Sequence, residues 1–130
     1  MIYLDNAATT MSKPAQVVDA VVDAMRTFGG VGRGVHASAL QADTAVYRAR
    51  LAIAELLGAP DASRVAFASN ATEALNTAIA GLLDAGDHAI TTAASHNSVL
   101  RPLYRLRDAG AIDLDIAPIA ADGSLDYDAL

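Results

Sequence analysis

From Arg64 onward the chain alternates short apolar runs with amphipathic stretches of helical period, and this limits the fold more than any other feature. Arg64–Ala68 reads as a strand, and Ala71–Leu83 as a helix with Leu75, Ile79 and Leu82 on one face. Ala89–Thr92 reads as a second strand, Ser98–Ala109 as a helix carrying Leu100, Leu103 and Leu106, and Leu114–Ile119 as a third strand. Gly86-Asp87, Gly110 and Asp122-Gly123 punctuate these elements. Strands alternating with helices predict an α/β sheet layered with helices. Pro102 is expected within the first turn of its helix, because an interior proline lacks the N–H and crowds the preceding turn.

Upstream, two helices are expected. Ser12 and Pro14 read as an N-cap with proline in the first turn, ahead of a stripe of Val17, Val18, Val21, Val22, Met25 and Phe28. A second helix spans Ser38–Leu57, with Ala42, Val46, Ala49, Ile53 and Leu56 inward, and Gly58 and Pro60 end it. With 30 alanines among 130 residues, the core is expected to be built from small side chains. The stretch Ser124–Leu130 looks like a helix opening with an acidic first turn, and stops after about one turn. Truncation of a longer chain is therefore expected.

A net charge of −6 leaves no electrostatic footprint for nucleic acid or an anionic membrane. No run approaches the roughly 18 apolar residues of a membrane span, and the N-terminus has no signal-peptide pattern, so a soluble, cytoplasmic protein is expected. Without cysteine, the chain has no disulfide, thiolate metal site or sulfur nucleophile of its own. Eight of its nine basic residues are arginine. Any chemistry that needs a lysine has Lys13 as its one candidate.

Asn70-Ala71-Thr72-Glu73 follows a predicted strand and opens a helix, which admits two readings. One is a capping box, Asn70 accepting from the Glu73 amide and Glu73 reaching back. The other is an anion site, in which the Ala71 and Thr72 amides, the Thr72 hydroxyl and the helix dipole hold a phosphate. Asn70 and a phosphate would compete for the same amides. His96 lies between a strand and a helix, where α/β sheets present side chains to ligands, although a structural role is equally open. His88, beside Gly86-Asp87, reads as a solvated turn residue. The glycine-rich stretch 29–34 fits neither G-x-G-x-x-G nor G-K-[ST] and follows a helix. It is a flexible connector, or a loop that turns Arg33 and His36 toward an anion. Histidines at 36, 88 and 96 have no metal-ligand spacing, so no metal site is expected. No G-x-S-x-G elbow is present.

Six segments taken together resemble the class V aminotransferase family of pyridoxal-phosphate enzymes, especially its cysteine desulfurase-like branch. They are Tyr3–Thr10 (YLDNAATT), Lys13-Pro14, Gly32–His36 (GRGVH), Ser69–Asn76 (SNATEALN), Gly86–His88 (GDH) and Ser95–Leu103 (SHNSVLRPL). The resemblance implies the N-terminal part of the large domain of a fold type I, aspartate aminotransferase-like enzyme, with an incomplete sheet. Residues 1–37 would be an N-terminal lead-in segment, helix and substrate-side loop, and residues 38–130 the start of the cofactor-binding domain.

The resemblance also implies roles. The cofactor would be pyridoxal 5′-phosphate, with its phosphate at Ala71 and Thr72 and its ring stacked on His96, which also helps move protons. Ala8 and His36 would line the substrate side. Ser95 departs from the family, whose members often carry Glu there. The family's cofactor-binding lysine, ring-nitrogen aspartate, carboxylate-binding arginine and sulfur-carrying cysteine would all lie beyond residue 130, and Lys13 cannot replace that lysine. The whole enzyme would be a homodimer that converts L-cysteine to L-alanine and passes persulfide sulfur to an acceptor protein, whereas this chain alone would be inactive. The alternatives are a selenocysteine lyase, a transaminase, a carbon–sulfur lyase, or a non-catalytic phosphate-binding or interaction remnant.

Overall fold

The computed structural model describes residues 2–7, 9–32 and 34–127, in two compact units, 1–66 and 67–130. The first contains helix α1 (Ala15–Thr27), helix α2 (Ala37–Leu57) and a short 3₁₀ turn, Ala62–Arg64. Pro14, rather than Ser12, occupies the N-cap of α1 and makes no side-chain cap bond. The fixed φ of proline sets up the first turn without a capping oxygen. Helix α2 ends as expected. Gly58 takes a left-handed conformation (φ 66°), so that its N–H reaches Glu55 O and the Ala59 N–H reaches Ala54 O at 2.8 Å. Those two bonds close a Schellman motif, which glycine enters without a Cβ penalty. The buried residues of α2 are Ala39, Ala42 and Ala54, and Ala62 of the 3₁₀ turn is buried as well. Leu56, expected inward, is 82% exposed, and Ala49 is exposed too.

The second unit holds helix α3 (Ala71–Leu82), strand β1 (His88–Thr92), helix α4 (Asn97–Asp108) and strand β2 (Asp113–Ala117). The strands pair in parallel, from His88 opposite Asp113 to Thr92 opposite Ala117. Parallel neighbours need a crossover between them, and α4 supplies it. The molecule is thus α/β, with a small open parallel sheet and helices. Leu103 of α4, Ile112 and Ala117 of β2 form the apolar core of this unit, with Thr91, Ser98 and Pro102 buried around them.

Three further expectations change. Residues 65–68 form no strand: a period-two pattern favours extended backbone, as at Val65, but a strand needs a ladder, and β1–β2 is the only one among the described residues. His88 opens β1 instead of sitting in the turn, and its Nε2 lies 2.9 Å from Asp115 Oδ2 on the neighbouring strand. Residues 124–127 form no helix either. Gly123 (φ 86°) and a bond from the Ser124 N–H to Asp122 Oδ1 turn the chain back, and Leu125 bridges Ile119 in antiparallel fashion. The rest of that stretch, 128–130, lies outside the described residues.

Burial decides which leucines matter. Leu103 is 5% exposed and Leu82 78% exposed. Leu103→Ala is expected to cost about 2–4 kcal/mol and Leu82→Ala no more than about 0.5 kcal/mol, read from denaturant midpoints. Equal costs would mean that the core is not where the fold puts it.

Candidate functional site

The start of α3 resolves the conflict between capping and anion binding. Asn70 Oδ1 accepts from the Glu73 N–H at 2.9 Å, and Glu73 Oε2 reaches back to the Ser69 N–H at 2.8 Å. Asn70 therefore takes the third amide of the helix, and the Ala71 and Thr72 N–H groups make no hydrogen bond to a described residue. The Thr72 hydroxyl is likewise open. Two amides and a hydroxyl at the positive end of a helix are an anion-binding set. The Ser69 hydroxyl, and after it the Ser69 N–H, hold the Glu73 carboxyl below its ordinary value.

The start of α4 carries His96 at the N-cap. Its Nδ1 accepts from the Ser98 N–H at 3.1 Å and lies 2.8 Å from Ser98 Oγ. An Nδ1 that accepts from an amide carries no proton, which places the ring proton of neutral His96 on Nε2. Behind it, Ser95 Oγ accepts from Thr91 Oγ1 at 3.0 Å and lies 3.1 Å from Thr92 Oγ1, knitting the end of β1 to the turn before His96.

Pro102 is the sixth residue of α4, beyond the first turn in which it was expected. Lacking an N–H, it leaves Ser98 O without its helical donor. Asn76 on α3 fills the gap, its Nδ2 donating to Ser98 O at 3.3 Å and to its own helix at Thr72 O at 2.8 Å. One amide thus ties the start of α4 to the start of α3.

Between these two helix starts lies a cavity of about 350 Å³, lined by Thr72, Asn76, His96, Asn97, Ser98, Arg101, Pro102 and Arg105. Two of the expected residues, Thr72 and His96, line this pocket, and Ala71 is the helical residue just before Thr72. Asn76, Ser98, Arg101 and Arg105 were not singled out from sequence. The proline at the sixth helical position was the available signal, because it implies an orphan carbonyl and a donor elsewhere.

His36 belongs to the other unit. It precedes α2 with Nδ1 2.9 Å from Ser38 Oγ, and its ring lies so close to Gly29 and Gly34 that a Cβ on either would come within 2.9 Å of it. Nearby, the Gly32 N–H donates to Asp43 Oδ1 at 2.8 Å, so this loop amide is taken by the chain's own carboxylate. Ala8 and Arg33 lie outside the described residues. Among the described residues, no group of three or more His, Cys, Asp or Glu side chains is placed to hold a metal ion, and no helix is long and apolar enough to cross a membrane.

The aminotransferase class-V family profile matches residues 2–130. The chain belongs to that family. A probable cysteine desulfurase of Halobacterium salinarum is 37% identical over 99% of this chain and 32% of its own length. The cysteine desulfurase of Pectobacterium atrosepticum is 31% identical over 97% of this chain and 32% of its own length. The solved cysteine desulfurase of Thermococcus onnurineus superposes with a TM-score of 0.84 at 30% identity, covering 98% of this chain and 32% of that one. The chain therefore spans about a third of the length of the class V relatives it matches.

Two outcomes test this geometry. Asn76→Ala is expected to destabilise the chain by about 1–3 kcal/mol by orphaning a buried carbonyl. In a Pro102→Ala background, where residue 102 again has an N–H for Ser98 O, that loss should shrink; a double-mutant cycle with no coupling would contradict the link. For Glu73, a lowered carboxyl pKa means that its stabilisation is present above the ordinary value of 4.5 and is lost as pH falls through the lowered one. The melting temperature of wild type should therefore fall more between pH 5 and pH 3 than that of Glu73→Gln, on the order of a few degrees at most for an exposed group; parallel curves would argue against it.

Proposed function

We propose that the α3–α4 pocket holds pyridoxal 5′-phosphate and that this chain supplies the phosphate and ring contacts of a cysteine desulfurase-like enzyme. The observation that carries the reading is the pair of open amides at Ala71 and Thr72, next to a pocket that Thr72 shares with His96. These groups fit the cofactor. A phosphate ester needs N–H and O–H donors at the positive end of a helix, and a pyridine ring needs a flat neighbour. At about 350 Å³ the cavity exceeds what a phosphate group alone would fill and lies in the range of small-ligand sites.

When bound, pyridoxal phosphate supplies the electron sink for chemistry at an amino-acid α-carbon. The chain's own residues do the remaining work here. Ala71 and Thr72 fix one end of the ligand and His96 fixes the ring plane, held in orientation by the Ser98 N–H. With Nδ1 occupied, His96 presents Nε2–H as a hydrogen-bond donor on the substrate side. Ala8 and His36 are proposed to contact the substrate in the whole enzyme, with residues 1–37 as the lead-in segment and 38–130 as the start of the cofactor domain.

By analogy with the relatives named cysteine desulfurase, the substrate is L-cysteine and the products are L-alanine and persulfide sulfur, passed to an acceptor protein by a cytoplasmic homodimer. The lysine that holds the cofactor covalently is not Lys13. By the family resemblance Lys13 belongs to the lead-in segment, where its Nζ donates to Thr10 O. The chain by itself is proposed to bind the cofactor but not turn over cysteine.

Equilibrium titration with pyridoxal phosphate and with pyridoxal tests this. Thr72→Ala should weaken the phosphate ester about tenfold or more, the scale of a lost hydrogen bond to a charged group, and leave pyridoxal unchanged. Lys13→Ala should change neither, and no alanine should form from L-cysteine. Equal affinity for both ligands in wild type, or alanine formation that depends on Lys13, would overturn the reading.

A further inference from the structure

Of the three arginines on α4, Arg107 is accounted for: it pairs with Asp108 at 2.7 Å and lies over the Tyr104 ring, 4.7 Å from its centroid. Arg101 and Arg105 are different. Both line the α3–α4 pocket, and neither makes a hydrogen bond or ion pair with another described residue. Their placement works against the helix. Spaced four apart, they lie on one face and repel each other, an arrangement that costs a few tenths of a kcal/mol in isolated helices. Arg105 at least stands in the last turn, where a cation suits the helix dipole. Arg101 is the fifth residue of twelve, in the half of α4 nearer its positive end, where the dipole gives a cation no help.

Among the described residues no carboxylate lines the pocket, although acidic residues outnumber basic ones 15 to 9 in the chain. Its only titratable or charged side chains among the described residues are His96, Arg101 and Arg105. Two unpaired guanidinium groups, an imidazole and the starts of two helices surround a space without a countercharge. The Thr72 amide and hydroxyl and the Ala71 amide can satisfy hydrogen bonds of a phosphate, but they carry no full charge to balance a dianion.

We propose that Arg101 and Arg105 are the countercharges of the pocket and make it a site for a phosphate-class dianion, contacting the same group that the start of α3 binds. The inference rests on the reading of this pocket as the phosphate site and adds two binding residues to it. Guanidinium forks suit this role because they offer paired N–H donors to the oxygens of a tetrahedral anion.

The test uses the full chain with inorganic phosphate, pyridoxal phosphate and pyridoxal as probes, titrated calorimetrically at low and moderate salt. The double variant Arg101→Gln, Arg105→Gln should bind both phosphate probes at least tenfold more weakly and with a flatter salt dependence. Pyridoxal should stay within twofold, and Arg101→Lys, Arg105→Lys should recover part of the loss. Both side chains are exposed, so the variants are expected to melt as wild type does. Retained phosphate affinity in the Gln variant, or equal loss for all three probes, would overturn the proposal. If Thr72→Ala weakens pyridoxal phosphate and the arginine variants do not, this inference falls and the cofactor reading stands. If inorganic phosphate binds through the arginines and pyridoxal phosphate binds no better, the cofactor reading falls and this one stands. Absence of binding by any phosphate probe defeats both.

Discussion

The second unit is organised around a carbonyl that its own helix cannot satisfy. Pro102 withdraws the donor that Ser98 O would receive in an ordinary α-helix, and Ser98 is buried, so water is a poor substitute. Asn76 supplies the missing N–H from α3 and spends its second bond on Thr72 O, the carbonyl of the residue whose amide and hydroxyl are open. Through a single side chain, the register of α4 is tied to the residue that faces the pocket. An apolar residue at 76 could pack the helices together, but it would leave both the spacing and the rotation of the two helix starts to side-chain shape alone.

The sheet makes that link useful. Parallel pairing of β1 with β2 requires a crossover, and α4 is that crossover, so its first residues stand just past the end of β1. His96 thus comes to the mouth of the strands as a consequence of topology. The hydroxyls of Thr91, Thr92 and Ser95 then fix the intervening turn. The Ser98 N–H fixes the ring and its tautomer. Side chain, turn and helix start are each held by a separate hydrogen bond, which is the preorganisation a flat ring needs if it is to stack on a ligand without an entropic penalty at each binding event.

Much of this was legible in sequence because it rests on local signals. The strand–helix alternation after residue 86, the end of α2 at Gly58 and the open helix start at Ala71-Thr72 follow from period, glycine and capping chemistry, all of which act within a few residues. What was not legible depends on distant partners. Residues 65–68 carry strand-like side chains, yet only a neighbouring ladder makes a strand. The tail after Gly123 has helix-like acidic residues, but the bond from Ser124 to Asp122 and the bridge from Leu125 to Ile119 win. Pro102 was misplaced for the same reason. The rule that interior proline breaks a helix assumes that no one else satisfies the freed carbonyl, and Asn76, 26 residues earlier, does. The two pocket arginines gave no signal of their own, since an Arg pair on a helix reads as a solvated face until its neighbours are known.

The supposed competition at the start of α3 shows how one bland role and one functional role can share a motif. A helix start has several orphan amides, and a capping side chain takes only one or two of them. By taking the Glu73 amide, Asn70 spends the third and holds the first turn rigid, while the Glu73 carboxylate turns back to Ser69, away from the first two. The cap therefore does not block an anion. It takes the third amide and leaves the first two open. The same carboxylate turns back to Ser69 and does not line the pocket, whose charged side chains stand on the wall opposite Thr72. Arg101 and Arg105 stand on that wall, contributed by α4.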